Sequence, residues 1–163
     1  MSEWANYLSF TMPSGYSGKK GQNLNPYGPI TFDTSGSSSG SATVVAADFA
    51  PLAIGTETTG SIVAPATQQS VVGLRPSLGM VGRSGIIPLA ETLDTAGPMA
   101  RTVKDAATLF NAMVSYDEKD TMTEKMKEKE RIDYTKDLSI DGLKGKKIGV
   151  LFSIDRQMRI ERK

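Results

Sequence analysis

The chain contains neither histidine nor cysteine. Those two absences exclude a Ser-His-Asp triad, a cysteine nucleophile, disulfides, and imidazole or thiolate metal ligands within it. No acidic loop of EF-hand spacing is present either, so no metal and no other cofactor is expected. Aromatic residues are sparse, and the apolar fraction is low for a globular chain. A net charge of +1 supplies no drive towards nucleic acid or an anionic membrane. No apolar run approaches the ~20 residues of a membrane span. The opening Met1-Ser2-Glu3-Trp4-Ala5-Asn6 is polar and acidic, unlike a secretory leader, and a cytoplasmic location is expected. At 163 residues the chain has the length of one ordinary domain.

What the sequence does hold is serine beside glycine. Ser35-Gly36-Ser37-Ser38-Ser39-Gly40-Ser41-Ala42 is followed by Gly55-Thr56-Glu57-Thr58-Thr59-Gly60-Ser61-Ile62-Val63-Ala64-Pro65. Each run leads into a helix-like segment, so hydroxyls and free backbone N–H groups gather at two helix starts. Those are the parts needed to attack a carbonyl and hold the resulting oxyanion. Ser61 is the candidate nucleophile. The N–H groups of Thr58, Thr59, Gly60 and Ser61 are candidate oxyanion donors, each worth ~3 kcal/mol in a transition state. Turns of this kind also serve as plain caps and linkers. Phosphate readings fare worse, because neither a P-loop nor a dinucleotide fingerprint is present. With histidine absent, the base would have to be another group, for which lysine is the usual substitute.

The first 30 residues read as loop, broken by Pro13, Gly15, Gly18, Gly21, Pro26, Gly28 and Pro29. Ala42, Val44 to Ala47 and Phe49 read as a buried helix, and residues 51–56 as a short buried strand. A short helix is expected over 61–68, with Pro65 tolerable only in its first turn. Residues 71–75 suggest a second strand, and 80–88 and 94–100 are expected to be extended. Thr102 is an N-cap with Asp105 at the capping-box position. Val103, Ala106, Ala107, Phe110 and Met113 follow at helical spacing. Residues 117–137 mix acidic and basic side chains and read as an exposed helix or solvated connector. Ile148-Gly149-Val150-Leu151-Phe152 looks like one more buried strand, ahead of a charged tail. The alternation of strand and helix favours an α/β sheet.

The ordered motifs resemble the amidase signature family of Ser–cisSer–Lys amide hydrolases. Beyond the two serine runs, the resemblance continues through Val71-Val72-Gly73-Leu74-Arg75-Pro76, Gly85-Ile86-Ile87-Pro88-Leu89 and Leu93-Asp94-Thr95-Ala96-Gly97-Pro98-Met99-Ala100-Arg101-Thr102-Val103. It implies an α/β fold, a mixed twisted sheet with helices on both faces, incomplete in this chain. It also implies Ser61 as nucleophile and Ser37 as relay after a cis Gly36–Ser37 bond. Ser38 would be a supporting hydrogen-bond partner, and the backbone of Thr58, Thr59, Gly60 and Ser61 the oxyanion hole. Residues 1–116 would form the central part of the amidase domain, 117–140 a charged connector, and 141–163 a further strand start and tail. Ser35, Ser39, Thr59 and Val63 depart from the commonest family pattern. The departures are similar to the peptide-amidase-like branch, which implies a peptide amide or small aliphatic or aryl amide as substrate. They weaken the comparison with the branch that amidates misacylated transfer RNA.

The family's catalytic lysine would precede Met1. Lys19, Lys20 and Lys104 are placed as exposed side chains, so stand-alone activity is not expected, and the chain reads as an internal piece of an amidase. The alternative is a non-catalytic fragment that only binds amides or anions, or complements a missing segment. Exposed sheet edges would then favour self-association.

Overall fold

The computed structural model describes residues 13–149. The expectations for Met1 to Asn6, for Val150 to Phe152 and for the charged tail lie outside the described residues. A two-residue hairpin, β1 (Tyr16–Ser17) with β2 (Gly21–Gln22), precedes the first helix, α1 (Ser39–Ala46). Then follow β3 (Leu52–Glu57), α2 (Val63–Gln68), β4 (Val72–Gly73), β5 (Thr95–Ala100), α3 (Val103–Met113) and a 3-10 helix, Thr121–Met126.

Strands β3, β5 and β4 form one sheet with β5 in the middle. Leu52 stands opposite Ala100 and Glu57 opposite Thr95, while Val72 also faces Ala100. These described ladders are antiparallel, and with the helices packed on them they form the part of an α/β fold that this chain spans. Every residue of β5 is buried, because helices cover both faces. Alternation along the strand sends Met99 to one side, against Ala42, Ile62 and Ala66 of the α1–α2 layer. Ala96 goes to the other side, against Val81 and Phe110 of the α3 layer.

Ile62, the neighbour of Ser61, is fully buried. It lies on a floor of glycines that one strand each supplies. A Cβ on Gly97 would stand 2.0 Å from the Leu74 carbonyl and 3.0 Å from Ile62, one on Gly55 3.1 Å from Ile62, and one on Gly73 3.0 Å from it. Only the missing side chains let Ile62 approach the sheet this closely.

α3 begins as its capping box requires: the Asp105 N–H donates to the Thr102 hydroxyl at 3.1 Å, and that hydroxyl donates to the Asp105 carboxylate at 2.7 Å. Other expectations change. α1 stops at Ala46, with Ala47 as its C-cap, and Phe49 is 83% exposed; Asp48, at φ 62°, has already turned the chain out of helical geometry. The strand expected over 71–75 is reduced to Val72–Gly73, ending ahead of Pro76. Between 80 and 88 the ladder is limited to one bridge, Val81 with Val114. The charged tract is not solvated throughout. Thr123 is fully buried, its hydroxyl accepting from Asp117 N–H and facing the Asp117 and Asp120 carbonyls. Ile148 is exposed and in no strand.

Candidate active site

The serine-rich turn is held from below by two buried amides. Asn25 donates to the Asp33 and Gln68 carbonyls at 3.0 and 2.9 Å. Gln69 donates to the Thr34 and Ser39 carbonyls at 3.1 and 3.3 Å. Within the turn, the Asp33 carboxylate accepts the Ser35 N–H at 2.6 Å, and the Gly36–Ser37 peptide is cis.

Ser38 joins this turn to the next one. Its N–H donates to the Ser61 carbonyl at 3.2 Å. Its hydroxyl lies 3.0 Å from both the N–H and the carbonyl oxygen of Thr56. Ser41 adds a 2.8 Å bond to the Ile54 carbonyl. Hydroxyls from the start of α1 thus bind β3 at residues 54 and 56. These bonds place Ser37, one residue before Ser38, beside Ser61.

The turn that carries Ser61 is shaped by Gly60, at φ +81°, and by Glu57 at the end of β3. One Glu57 oxygen accepts the N–H groups of Ile62 and Val63, at 2.7 and 3.0 Å. The other lies 3.3 Å from Arg75 Nε. Ser61 therefore sits between a tethered backbone and the buried Ile62. Ser37 and Ser61 line one small cleft, with Thr58, Arg83 and Asp94 on its walls and Ile86, Ile87 and Leu89 as its apolar side. Of the candidate oxyanion residues, Thr58 and Ser61 reach this lining, while Thr59 and Gly60 complete the turn outside it.

Two wall residues had no role in the sequence reading. Asp94, 8% exposed, accepts the Thr58 hydroxyl on one oxygen and the Leu89 and Ala90 N–H groups, at 2.7 and 2.8 Å, on the other. Burial pushes its carboxyl up, but these three donors and Arg83 outweigh burial and hold it below the usual 3.8. Arg83 is bidentate to Asp120, with Nε and Nη2 each at 2.7 Å, and donates through Nη1 to the Glu91 carbonyl. That bonding holds the Asp120 carboxyl low against its burial and the guanidinium pKa above its ordinary value. Asp94 lies within the Leu93–Val103 motif, and Asp120 within the tract of mixed charges. Neither position announces its partner 36 or 37 residues away.

The pH consequence has a definite sign. Both carboxyls titrate lower in the folded chain than in the unfolded one. Their stabilisation is complete above the unfolded value near 3.8 and is lost as pH falls through the folded values. Urea midpoints should therefore hold steady from pH 7 to 5 and drop below pH 4. Asp94→Asn with Asp120→Asn should flatten that drop, and an unchanged acid slope would contradict the assignment.

Lys19, Lys20 and Lys104 are exposed, and no lysine is among the described residues lining the cleft. Among the described residues no group of three acidic side chains could hold a metal, and no helix is long and apolar enough to cross a membrane.

Residues 1–161 match the Amidase family model. The chain belongs to the amidase family. A probable amidase of Arabidopsis thaliana is 44% identical over 152 residues, which are 93% of this chain and 30% of that protein. The crystal structure of an amidase family protein from Bacillus anthracis str. Ames superposes with TM-score 0.88 at 90% identity, over 97% of this chain and 31% of that one. The native peptide amidase from Stenotrophomonas maltophilia superposes with TM-score 0.76 at 51% identity, over 82% of this chain and 27% of its own. The chain thus spans about a third or less of the length of these proteins.

Proposed function

We propose that this chain carries the nucleophile, relay and oxyanion turns of a hydrolase that cleaves carboxamide C–N bonds. The observation that carries the reading is the single cleft lined by both Ser37 and Ser61. Ser61 Oγ attacks the amide carbonyl carbon while its proton passes through the Ser37 hydroxyl to a base. The N–H groups of residues 58–61 stabilise the oxyanion. Collapse of the tetrahedral species breaks the C–N bond, and the amine leaves with a proton. Water then cleaves the Ser61 ester to the carboxylic acid and restores the serine. The base is a lysine from outside the described residues, in keeping with the exposed positions of Lys19, Lys20 and Lys104. Likeness to the peptide amidase supports a peptide amide as substrate.

A second reading, amide binding without turnover, is favoured by one observation: the cleft's described lining lacks a lysine. A fluorophosphonate serine-hydrolase probe separates the two. The hydrolase reading expects an adduct on Ser61, mapped by mass spectrometry, that disappears in Ser61→Ala and weakens in Ser37→Ala. A folded chain that forms no adduct, alone or supplemented with a lysine-bearing segment from the longer relative, would leave only the binding reading.

A further inference from the structure

The cleft around the two serines is small, about 30 Å³, enough for a reacting head group and little more. A second cleft of about 340 Å³ opens directly beside it. The two share Arg83, Ile86 and Asp94. Ligand sites occupy roughly 300–1,000 Å³, so the second cleft and not the first has the size to bind the body of a substrate. Arg83 stands at the junction and is 15% exposed.

Arg83 has donors to spare. A guanidinium carries five N–H bonds. Asp120 accepts two of them and the Glu91 carbonyl one. Two terminal N–H bonds are left without a partner among the described residues. The Asp120 carboxylate balances the guanidinium charge, so those donors suit a neutral carbonyl oxygen better than a carboxylate. Ile86 and Pro88 give the second cleft an apolar side, as a peptide side chain requires.

We propose that the second cleft is the acyl-side subsite and that Arg83 is a specificity-determining residue, donating a hydrogen bond to a backbone carbonyl of the bound acyl chain. The substrate class is then an extended, peptide-like carboxamide and not a small aliphatic amide. This rests on the amide-hydrolase reading for what lies in the first cleft, but its test needs binding alone.

The intact chain, ¹⁵N-labelled, is titrated with N-acetyl-alanyl-leucinamide, with the corresponding free acid and with acetamide. The Arg83 Nε–H resonance is followed by NMR, since its bond to buried Asp120 slows exchange. The dipeptide amide should shift that resonance and bind at least about tenfold more tightly than acetamide, the equivalent of one good hydrogen bond. The free acid, which keeps the same backbone carbonyl, should shift it too at higher concentration. Arg83→Lys retains a charge facing Asp120 but loses the bidentate geometry and the Glu91 contact, so its melting temperature should fall by several degrees and its fold is checked by circular dichroism. It should reduce dipeptide-amide affinity by about tenfold. If Arg83→Lys does not fold, the resonance shift in the parent chain decides alone. Equal binding of acetamide and the dipeptide amide, an unmoved resonance, or no binding by any of the three overturns the proposal. Dipeptide-amide binding retained in a chain whose Ser61 takes no probe would sink the hydrolase reading and leave the subsite standing. Ser61 labelling without dipeptide preference would do the reverse.

Discussion

Replacing Glu57 with alanine should lower the unfolding free energy by about 3–5 kcal/mol and release the turn that carries Ser61. Glu57 is 5% exposed and closes β3. One of its oxygens accepts two consecutive N–H groups, Ile62 and Val63, at the point where α2 begins. These are among the donors that the first turn of a helix leaves without an internal partner. No side chain of α2 or of its N-cap residue Ile62 satisfies them locally. In the alanine variant Ile62 N–H is orphaned in a buried position, and each orphaned donor costs about 1–3 kcal/mol. Arg75, a third exposed, loses its partner at smaller cost, because water reaches it.

Glu57→Gln separates those contributions. Its amide oxygen can still accept both N–H groups, while its NH₂ turns towards Arg75 and abolishes the ion pair. A loss of about 1–2 kcal/mol is expected there, mostly from the neighbouring cation. Urea denaturation followed by far-UV circular dichroism measures both variants. Equal losses in the two would mean that the backbone donors contribute little and that Arg75 dominates. In the functional reading, the alanine variant should also lose probe labelling at Ser61 while still partly folded. The Ser61 backbone is held by the Ser38 N–H on its carbonyl and through its neighbours, Ile62 on the glycine floor and Glu57 at the next two N–H groups.

The parts of this candidate site that the sequence brings forward are the parts whose signals are local. Ser37 and Ser61 stand in runs of fixed order, and the glycines around them signal turns. The Thr102–Asp105 capping box is complete within four residues, and α3 was legible for that reason. Glu57, Asp94 and Arg83 could not be read, because each acts through a partner that only folding supplies. Asp94 meets Thr58 across the β3–β5 pairing, and Arg83 meets Asp120 through the docked 3-10 helix. Composition misled where burial and charge disagree. Asp120 sits in a tract of mixed charges that looks solvated, yet it is 7% exposed and fully bonded. Phe49 made the opposite error: its helical spacing after Val45 suggested a core position, but the helix ends before it.

Asp94→Asn should leave the fold nearly intact, with a loss near 1 kcal/mol, and abolish discrimination between an amide and a free acid. The carboxylates of the cleft are not equivalent. Glu57 faces Arg75, and Asp120 occupies two donors of Arg83. Asp94 has a hydroxyl and two N–H groups as its direct partners, and the nearby Arg83 is already paired with Asp120, so these three side chains together leave the cleft one net negative charge. Held below the usual carboxyl range, it is ionised at neutral pH. A carboxylate a few ångströms away would then meet repulsion of up to about 4 kcal/mol at an effective dielectric near 20, whereas a neutral carboxamide would not. In the hydrolase reading the same repulsion would speed departure of the acid product. Asparagine can preserve the geometry: its oxygen accepts Leu89 and Ala90 N–H, and its NH₂ donates to Thr58, whose hydroxyl reverses its role. Removing the charge alone should therefore bring the dipeptide acid to within about twofold of the dipeptide amide. Asp94→Ala, by contrast, orphans three donors and should lower stability by about 3 kcal/mol. Parallel titrations of amide and acid against the parent chain and Asp94→Asn measure the effect. If Asp94→Asn still prefers the amide by tenfold, the selectivity arises from hydrogen-bond geometry at Thr58 and Ser61 and not from charge.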